Sequence, residues 1–535
     1  MNYKNIKEFQ NPIIPGFYPD PSICRVGEDY YLVNSTFEYF PAIPVWHSKD
    51  LVHWKQIGNA IDRAEQGLNL DVNVSGGVQA CTIRYHQGTY YITSTNVGRT
   101  WPSLRYNFII TATDPAGPWS KVHYIDNAPG IDSSLFFDDD GKAYFQANRQ
   151  KLNQDELGNA EIWVQEIDLE SFQLIGDKHI LWDGCGGIFP EGPHIYKRNG
   201  YYYLLIAEGG TGHWHTVTMA RSKHIFGPYE PNPRNPLLTH KHLGKDYPIQ
   251  NVGHADMVET QNGEWYMVCL GARPKGDMQP PEEVDYSQGG HYFNLGRESF
   301  LVPMRWEDDF GPVVSPDTGK VEMRYPFPDL QEHKWIKEAN CSHFDGELEL
   351  FWNGIRSEKM DFFSLSERKG YLRLYLGKNN ITTDDMVSFL GRRQTSWYFE
   401  ASTDMEIHHQ ANDEQAGITA YFNYAYHMRL LSHYQDGKQF LSLVKREDNQ
   451  DEVIQSIPIA SPCIKLKVVG DEHTYSFYYK VPDSPWQKID HDLDGKLLNS
   501  TAAGGHTGAY VGMFGHSPSG DNHADYKYFE YINHK

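Results

Sequence analysis

Three carboxylates and a histidine stand at matching points of a repeated sequence pattern. Asp20, Ala80, Asp132, Glu191 and His254 each open a segment that runs through an apolar stretch, a Gly- or Asp-bearing turn and a second stretch rich in aromatics. Brought together, carboxylates at such positions would repel one another and lose solvation, a cost that a chemical role would explain. The chemistry that suits them is glycoside hydrolysis, in which one protonated acid serves the leaving oxygen and one carboxylate activates water. Asp20, fixed between Pro19 and Pro21, suits the base, and Glu191, with its longer side chain, suits the acid. Asp132 is then the carboxylate that raises the pKa of the acid and keeps it protonated.

The elements that must position them follow from the spacing. The five leads lie 60, 52, 59 and 63 residues apart, enough for four short strands per unit, which is a propeller blade. Each copy reads as a β-hairpin. A further echo, Ser48 to Trp54, Ala112 to Trp119 and Ala220 to Tyr229, follows three of the hairpins at similar intervals. Five blades fill residues 11 to 305, and their lead residues converge at one mouth of the central channel.

Composition agrees with an all-β protein: 14% of residues are aromatic, and apolar runs are broken by 47 Gly and 30 Pro. The formal net charge of -22 disfavours nucleic acid and anionic membrane as partners. No apolar run reaches signal-peptide or membrane-span length, so a soluble, cytoplasmic chain is expected. The six cysteines have no paired short spacing and read as reduced core thiols.

The chain resembles glycoside hydrolase family 43, in particular its two-domain β-xylosidases. The resemblance rests on Gly16-Phe17-Tyr18-Pro19-Asp20-Pro21-Ser22, Ser35-Thr36-Phe37-Glu38-Tyr39-Phe40-Pro41, Ser75-Gly76-Gly77, Pro190-Glu191-Gly192-Pro193, Ala207-Glu208-Gly209-Gly210-Thr211 and Gly296-Arg297-Glu298, among others, and covers nearly the whole chain. It implies an inverting hydrolase with Asp20 as general base, Asp132 as pKa modulator and Glu191 as general acid. It also implies that Arg297 contacts sugar hydroxyls and that Phe37 walls the pocket. His254 matches an axial histidine that in some relatives approaches a metal, often calcium, so a structural calcium is expected there and no cofactor for catalysis. The family usually places an aromatic residue after Ser75-Gly76-Gly77 where this chain has Gln79, a candidate substrate contact that offers hydrogen bonds in place of a ring face.

The resemblance divides the chain into a propeller over 1–310, a linker over 311–330 marked by Gly-Pro, Ser-Pro, Tyr-Pro and Phe-Pro steps, and a jelly-roll-like β-sandwich over 331–535. Alternation in Tyr371 to Tyr375, Phe440 to Val444, Ile464 to Val468 and Tyr475 to Tyr479 supports half-buried antiparallel strands in the last part. By the resemblance the sandwich leans over the propeller mouth, and Phe514 lines the active site. A pocket closed on one side accepts a chain end. The expected activity is therefore exo: release of xylose from the non-reducing end of β-1,4-xylooligosaccharides, with arabinose from α-L-arabinofuranosides as a related activity. The resemblance also implies a homo-oligomer. Alternatives are a carbohydrate-binding propeller with impaired catalysis, which Gln79 would favour, and a retaining, fructosidase-like five-bladed enzyme.

Overall fold

The computed structural model describes residues 7–99, 105–151, 158–279, 289–307 and 311–534. Its first part is a ring of five antiparallel sheets whose strands follow chain order from the axis outward. The innermost strands are Ser22–Val26, Gly77–His86, Ser134–Phe137, Glu191–Arg198 and Gln250–Glu259, each opening one of the five repeats. The repeat period therefore does correspond to blades.

The ring is closed by the N-terminal strap. Asn11 exchanges hydrogen bonds with the backbone of Leu301, its amide donating to the carbonyl at 2.9 Å and its carbonyl accepting from the N–H at 2.9 Å. Ile14 forms a bridge to Ser299. Glu8–Gln10 then pairs with Arg324–Pro326.

One buried polar knot ties all five blades at the axis. Asp256 accepts from Ser22 Oγ at 2.6 Å, from both terminal nitrogens of Arg84 at 2.7 and 3.1 Å, and from the Tyr196 hydroxyl. Arg84 also donates to His194 Nδ1 at 3.0 Å, which faces Ser134 Oγ at 3.1 Å. Burial, the largest single influence, would raise the Asp256 pKa, but the Arg84 charge, His194 and the hydrogen bonds from Arg84 and Ser22 together hold the carboxyl below the usual range. Asp256→Asn, which leaves Arg84 buried without its counter-charge, is expected to cost about 3–5 kcal/mol of stability, read as a lower denaturant midpoint.

The domain boundary differs from the expected one. Gly311–Val314 pairs with Glu298–Glu307 as the outermost strand of the fifth blade, and Arg324–Pro326 is stitched to the N-terminus, so 311–330 is not a free linker. The prolines there read as breakers in sequence, but a strand at a sheet edge tolerates a residue that cannot donate. The start of 331–535 also packs on the propeller: His333 donates its N–H to Asp50 Oδ2 and the Trp335 indole donates to the His53 carbonyl, both in blade one.

The remainder is a sandwich of two antiparallel sheets with six and nine strands among the described residues. Cys463–Asp471 shows the expected period of two, with Ile464, Leu466 and Val468 buried in the core and Lys465 and Lys467 less so. The two domains are joined by backbone and by aromatics. Gly354–Ile355 pairs with Tyr39–Phe40, and Tyr39 stacks on Tyr510 with ring centroids 4.0 Å apart. Arg393 donates to the Phe17 carbonyl at 2.6 Å.

Candidate active site

The lead residues share an uncommon backbone. Asp20, Ala80, Asp132 and His254 have φ of 51°, 46°, 59° and 43°, and in the fourth blade Gly192, next to Glu191, has φ of 58°. Left-handed backbone at non-glycine residues costs free energy and persists where surroundings impose it. In blades two, four and five the pairing register slips at this point, between Gln79 and Thr82, Glu191 and His194, and Gly253 and Ala255. These bulges re-aim side chains out of the alternating strand pattern. Gly192 allows close approach as well, because a Cβ there would lie 3.1 Å from the His254 ring.

Asp20 is buried and doubly held. Ser35 Oγ donates to its Oδ2 at 2.7 Å, and Arg297 donates to its Oδ1 at 3.0 Å. Burial would raise its pKa, yet the charge of Arg297, then His254, the Ser35 hydrogen bond and His215 together hold the carboxyl below its ordinary value. Asp132 Oδ2 accepts the Gly192 N–H at 3.1 Å, which sets this carboxylate beside Glu191. The backbone of Asp132 is anchored by donation to Thr95 Oγ1 at 3.0 Å. Glu191 starts its strand opposite Ala207 and is half-buried, less enclosed than the two aspartates.

Arg297 is buried with its guanidinium 5.6 Å from the Phe37 ring centroid. Phe37 itself, with φ of 53°, exchanges backbone hydrogen bonds with Val78, one residue before Gln79. The Gln79 amide donates to the Ser75 carbonyl at 2.8 Å, so part of its hydrogen-bonding capacity is used to brace that loop.

Phe514 is fully buried, paired with Phe389 and Gly417 in the six-stranded sheet, and belongs to the apolar cluster that also holds Phe17, Phe37 and Tyr39 of the propeller, so it lies behind the pocket wall. Along its strand Val511 and Met513 enter the sandwich core, whereas Tyr510 and Phe514 lie on the opposite face, in the cluster that includes the propeller aromatics. The sandwich residue in polar contact with the site is His506, in the loop before that strand. Its N–H donates to Ser75 Oγ at 2.8 Å, its carbonyl accepts from Arg297 at 3.1 Å, and its ring lies 6.5 Å from that of Phe37. The ring is open to solvent within a recess whose protein walls push its pKa down to about 4. The sequence singled out neither His506 nor Ser35, Ser75 and His215. The polar loop Gly504-Gly505-His506-Thr507-Gly508 was the available signal.

A chain of hydrogen bonds links these groups. Glu38 Oε2 accepts the Ser75 N–H at 3.0 Å, and Ser75, His506 and Arg297 then lead to Asp20. Burial pushes the Glu38 carboxyl up to about 7 in spite of Arg356. Its ordinary value is roughly 4.3. A raised folded-state pKa contributes stability that is full below that ordinary value and is lost as pH rises through about 7. Glu38→Gln removes this titration, so its melting temperature is expected to fall less than that of the unmutated protein between pH 5 and pH 8.

The expected calcium finds no ligand set. Among the described residues no three His, Cys, Asp or Glu side chains converge to hold a metal ion, and the His254 ring packs against Gly192.

Known proteins show the same organisation. Residues 9–311 match glycosyl hydrolases family 43, and residues 341–532 match the β-xylosidase C-terminal concanavalin A-like domain. A xylosidase/arabinosidase of Butyrivibrio fibrisolvens is 40% identical, over 97% of this chain and 98% of that protein. A non-reducing end α-L-arabinofuranosidase of Bacteroides ovatus is 39% identical over 98% and 95%. The crystal structure of a xylan β-1,4-xylosidase from Bacillus halodurans C-125 superposes with a TM-score of 0.91 at 34% identity, covering 98% of this chain and all of that one. With its axial carboxylates on a five-bladed propeller and its sandwich loop over the mouth, the chain belongs to glycosyl hydrolase family 43 and is a glycoside hydrolase.

Proposed function

We propose that the chain is an exo-acting, inverting glycosidase that releases xylose from the non-reducing end of β-1,4-xylooligosaccharides and also cleaves α-L-arabinofuranosides. The observation that carries this is the unlike treatment of the carboxylates. Asp20 is kept ionised by Arg297 and Ser35, as a base needs, while Glu191 has Asp132 beside it through the Gly192 N–H. In this reading Asp20 takes a proton from water as the water oxygen attacks the anomeric carbon. Glu191 gives its proton to the departing glycosidic oxygen, and the Asp132 charge keeps that proton on Glu191 until it is needed. Arg297 and Phe37 border the sugar, and the His506 loop limits the pocket to a chain end.

The names of the relatives support both sugars. The fructosidase-like alternative is dropped, because the propeller matches family 43. The deciding experiment is NMR of the first-formed product anomer from xylobiose and from an aryl α-L-arabinofuranoside. Inverted product from both is expected. Retained configuration would overturn the mechanism, and cleavage of neither would overturn the substrate class.

A structural calcium near the propeller axis would stand apart from these steps, which use carboxylates alone. Dialysis against EDTA is expected to leave kcat unchanged, and a loss restored by added calcium would contradict this. A homo-oligomer and a cytoplasmic location complete the proposal, to be read by light scattering and cell fractionation.

A further inference from the structure

Blade four carries an exposed aromatic that the chemistry so far leaves unused. Trp214 is 49% exposed and Ile188 is 53% exposed. Single exposed apolar side chains are ordinary on a protein surface, so it is their position that decides whether they matter. Other exposed large apolar groups, such as Val453 and Ile336, lie in the sandwich or the segment entering it.

The topology fixes the position of this pair. Glu191 pairs with Ala207, and Glu208 with Thr216, so residues 209 to 215 turn at the blade end where Glu191 begins. Ile188 comes three residues before Glu191, and its carbonyl accepts the Gly209 N–H at 2.7 Å. A Cβ on Gly209 would meet the Trp214 carbonyl, and one on Gly210 would lie 3.5 Å from the Phe189 ring. The two loops are therefore packed together beside Glu191.

The next residue confirms the direction. His215 is buried, sits against Gly253 and donates its Nδ1–H to the Asn251 carbonyl at 3.1 Å. It is close enough to Asp20, Arg297 and His254 for their charges to act on it. Trp214 thus stands one residue out from the axial site, on the side of the proton donor. Its indole contacts the His213 ring edge-on at 5.4 Å and makes no hydrogen bond among the described residues.

We propose that Trp214 is the platform for the departing sugar, the pyranose whose oxygen receives the proton of Glu191. This rests on the reading given under Proposed function. An indole presents a flat apolar face to the C–H face of a pyranose, and the side chain equivalent in purpose on blade two is the polar Gln79.

The test compares xylobiose with β-xylosyl fluoride, whose leaving group is too small to reach the platform. In Trp214→Ala the ratio of kcat/KM for xylobiose to that for the fluoride is expected to fall about tenfold, with most of it recovered in Trp214→Phe. An unchanged ratio, or Phe no better than Ala, overturns the proposal. If the unmutated enzyme cleaves neither compound, the functional reading fails and the platform is judged by binding. In 5-fluorotryptophan-labelled Glu191→Gln protein, the 19F signal that disappears in Trp214→Phe is expected to shift with xylobiose and not with xylose. The absence of that shift overturns it too.

Discussion

Glu191→Ala is expected to lower kcat/KM for xylobiose by about a thousandfold or more, while an aryl xyloside with a good leaving group loses far less. The difference follows from what the residue supplies. A sugar alkoxide is a poor leaving group and needs its proton in the transition state, whereas a nitrophenolate leaves without one. The half-buried position of Glu191 at the start of its strand, less enclosed than Asp20 or Asp132, suits a group that must touch both the sugar oxygen and bulk water to be reprotonated. Equal losses on the two substrates would remove Glu191 from the acid role and leave it as a binding group.

Asp20→Ala should lower turnover of both substrates alike, by roughly a hundredfold to ten-thousandfold, because activating water is required whatever group departs. The pH dependence should carry the same signature. Arg297 and its companions hold the Asp20 carboxyl below its ordinary value, so the base stays ionised as pH falls, and the acidic limb of kcat/KM lies below the usual carboxylate range. Removing the ion pair with Arg297→Met is expected to move that limb upward. Substantial turnover surviving in Asp20→Ala would refute the base assignment, and an unmoved limb in Arg297→Met would show that the guanidinium does not set the ionisation.

Much of this was legible because a propeller repeats its geometry. A lead residue in one blade predicts the location of its counterparts, so Asp20, Asp132, Glu191 and His254 could be read as neighbours although they are spread over more than two hundred residues. The left-handed backbone that the structure places at Asp20, Ala80, Asp132 and His254 is the physical form of that equivalence. The sandwich offered no such internal ruler. Phe514 packs, fully buried, in the cluster that includes Phe37 and Phe17, and the polar contact with the mouth is made by His506 in the loop before its strand.

By itself the sequence determined the blade number, the all-β class and the axial carboxylates, because each is written locally in periodicity, turn residues and residue type. Tertiary structure alone decided which side chains surround Asp20. Ser35, Arg297 and His506 come from the first blade, the fifth blade and the sandwich, and no local rule relates segments so far apart. The same holds for the boundary near 311, where an edge strand accepts prolines that read as a linker. Whether a polar group is a solvated surface residue or part of a buried chain of hydrogen bonds depends on what the rest of the fold packs against it, and that is a property of the folded chain as a whole.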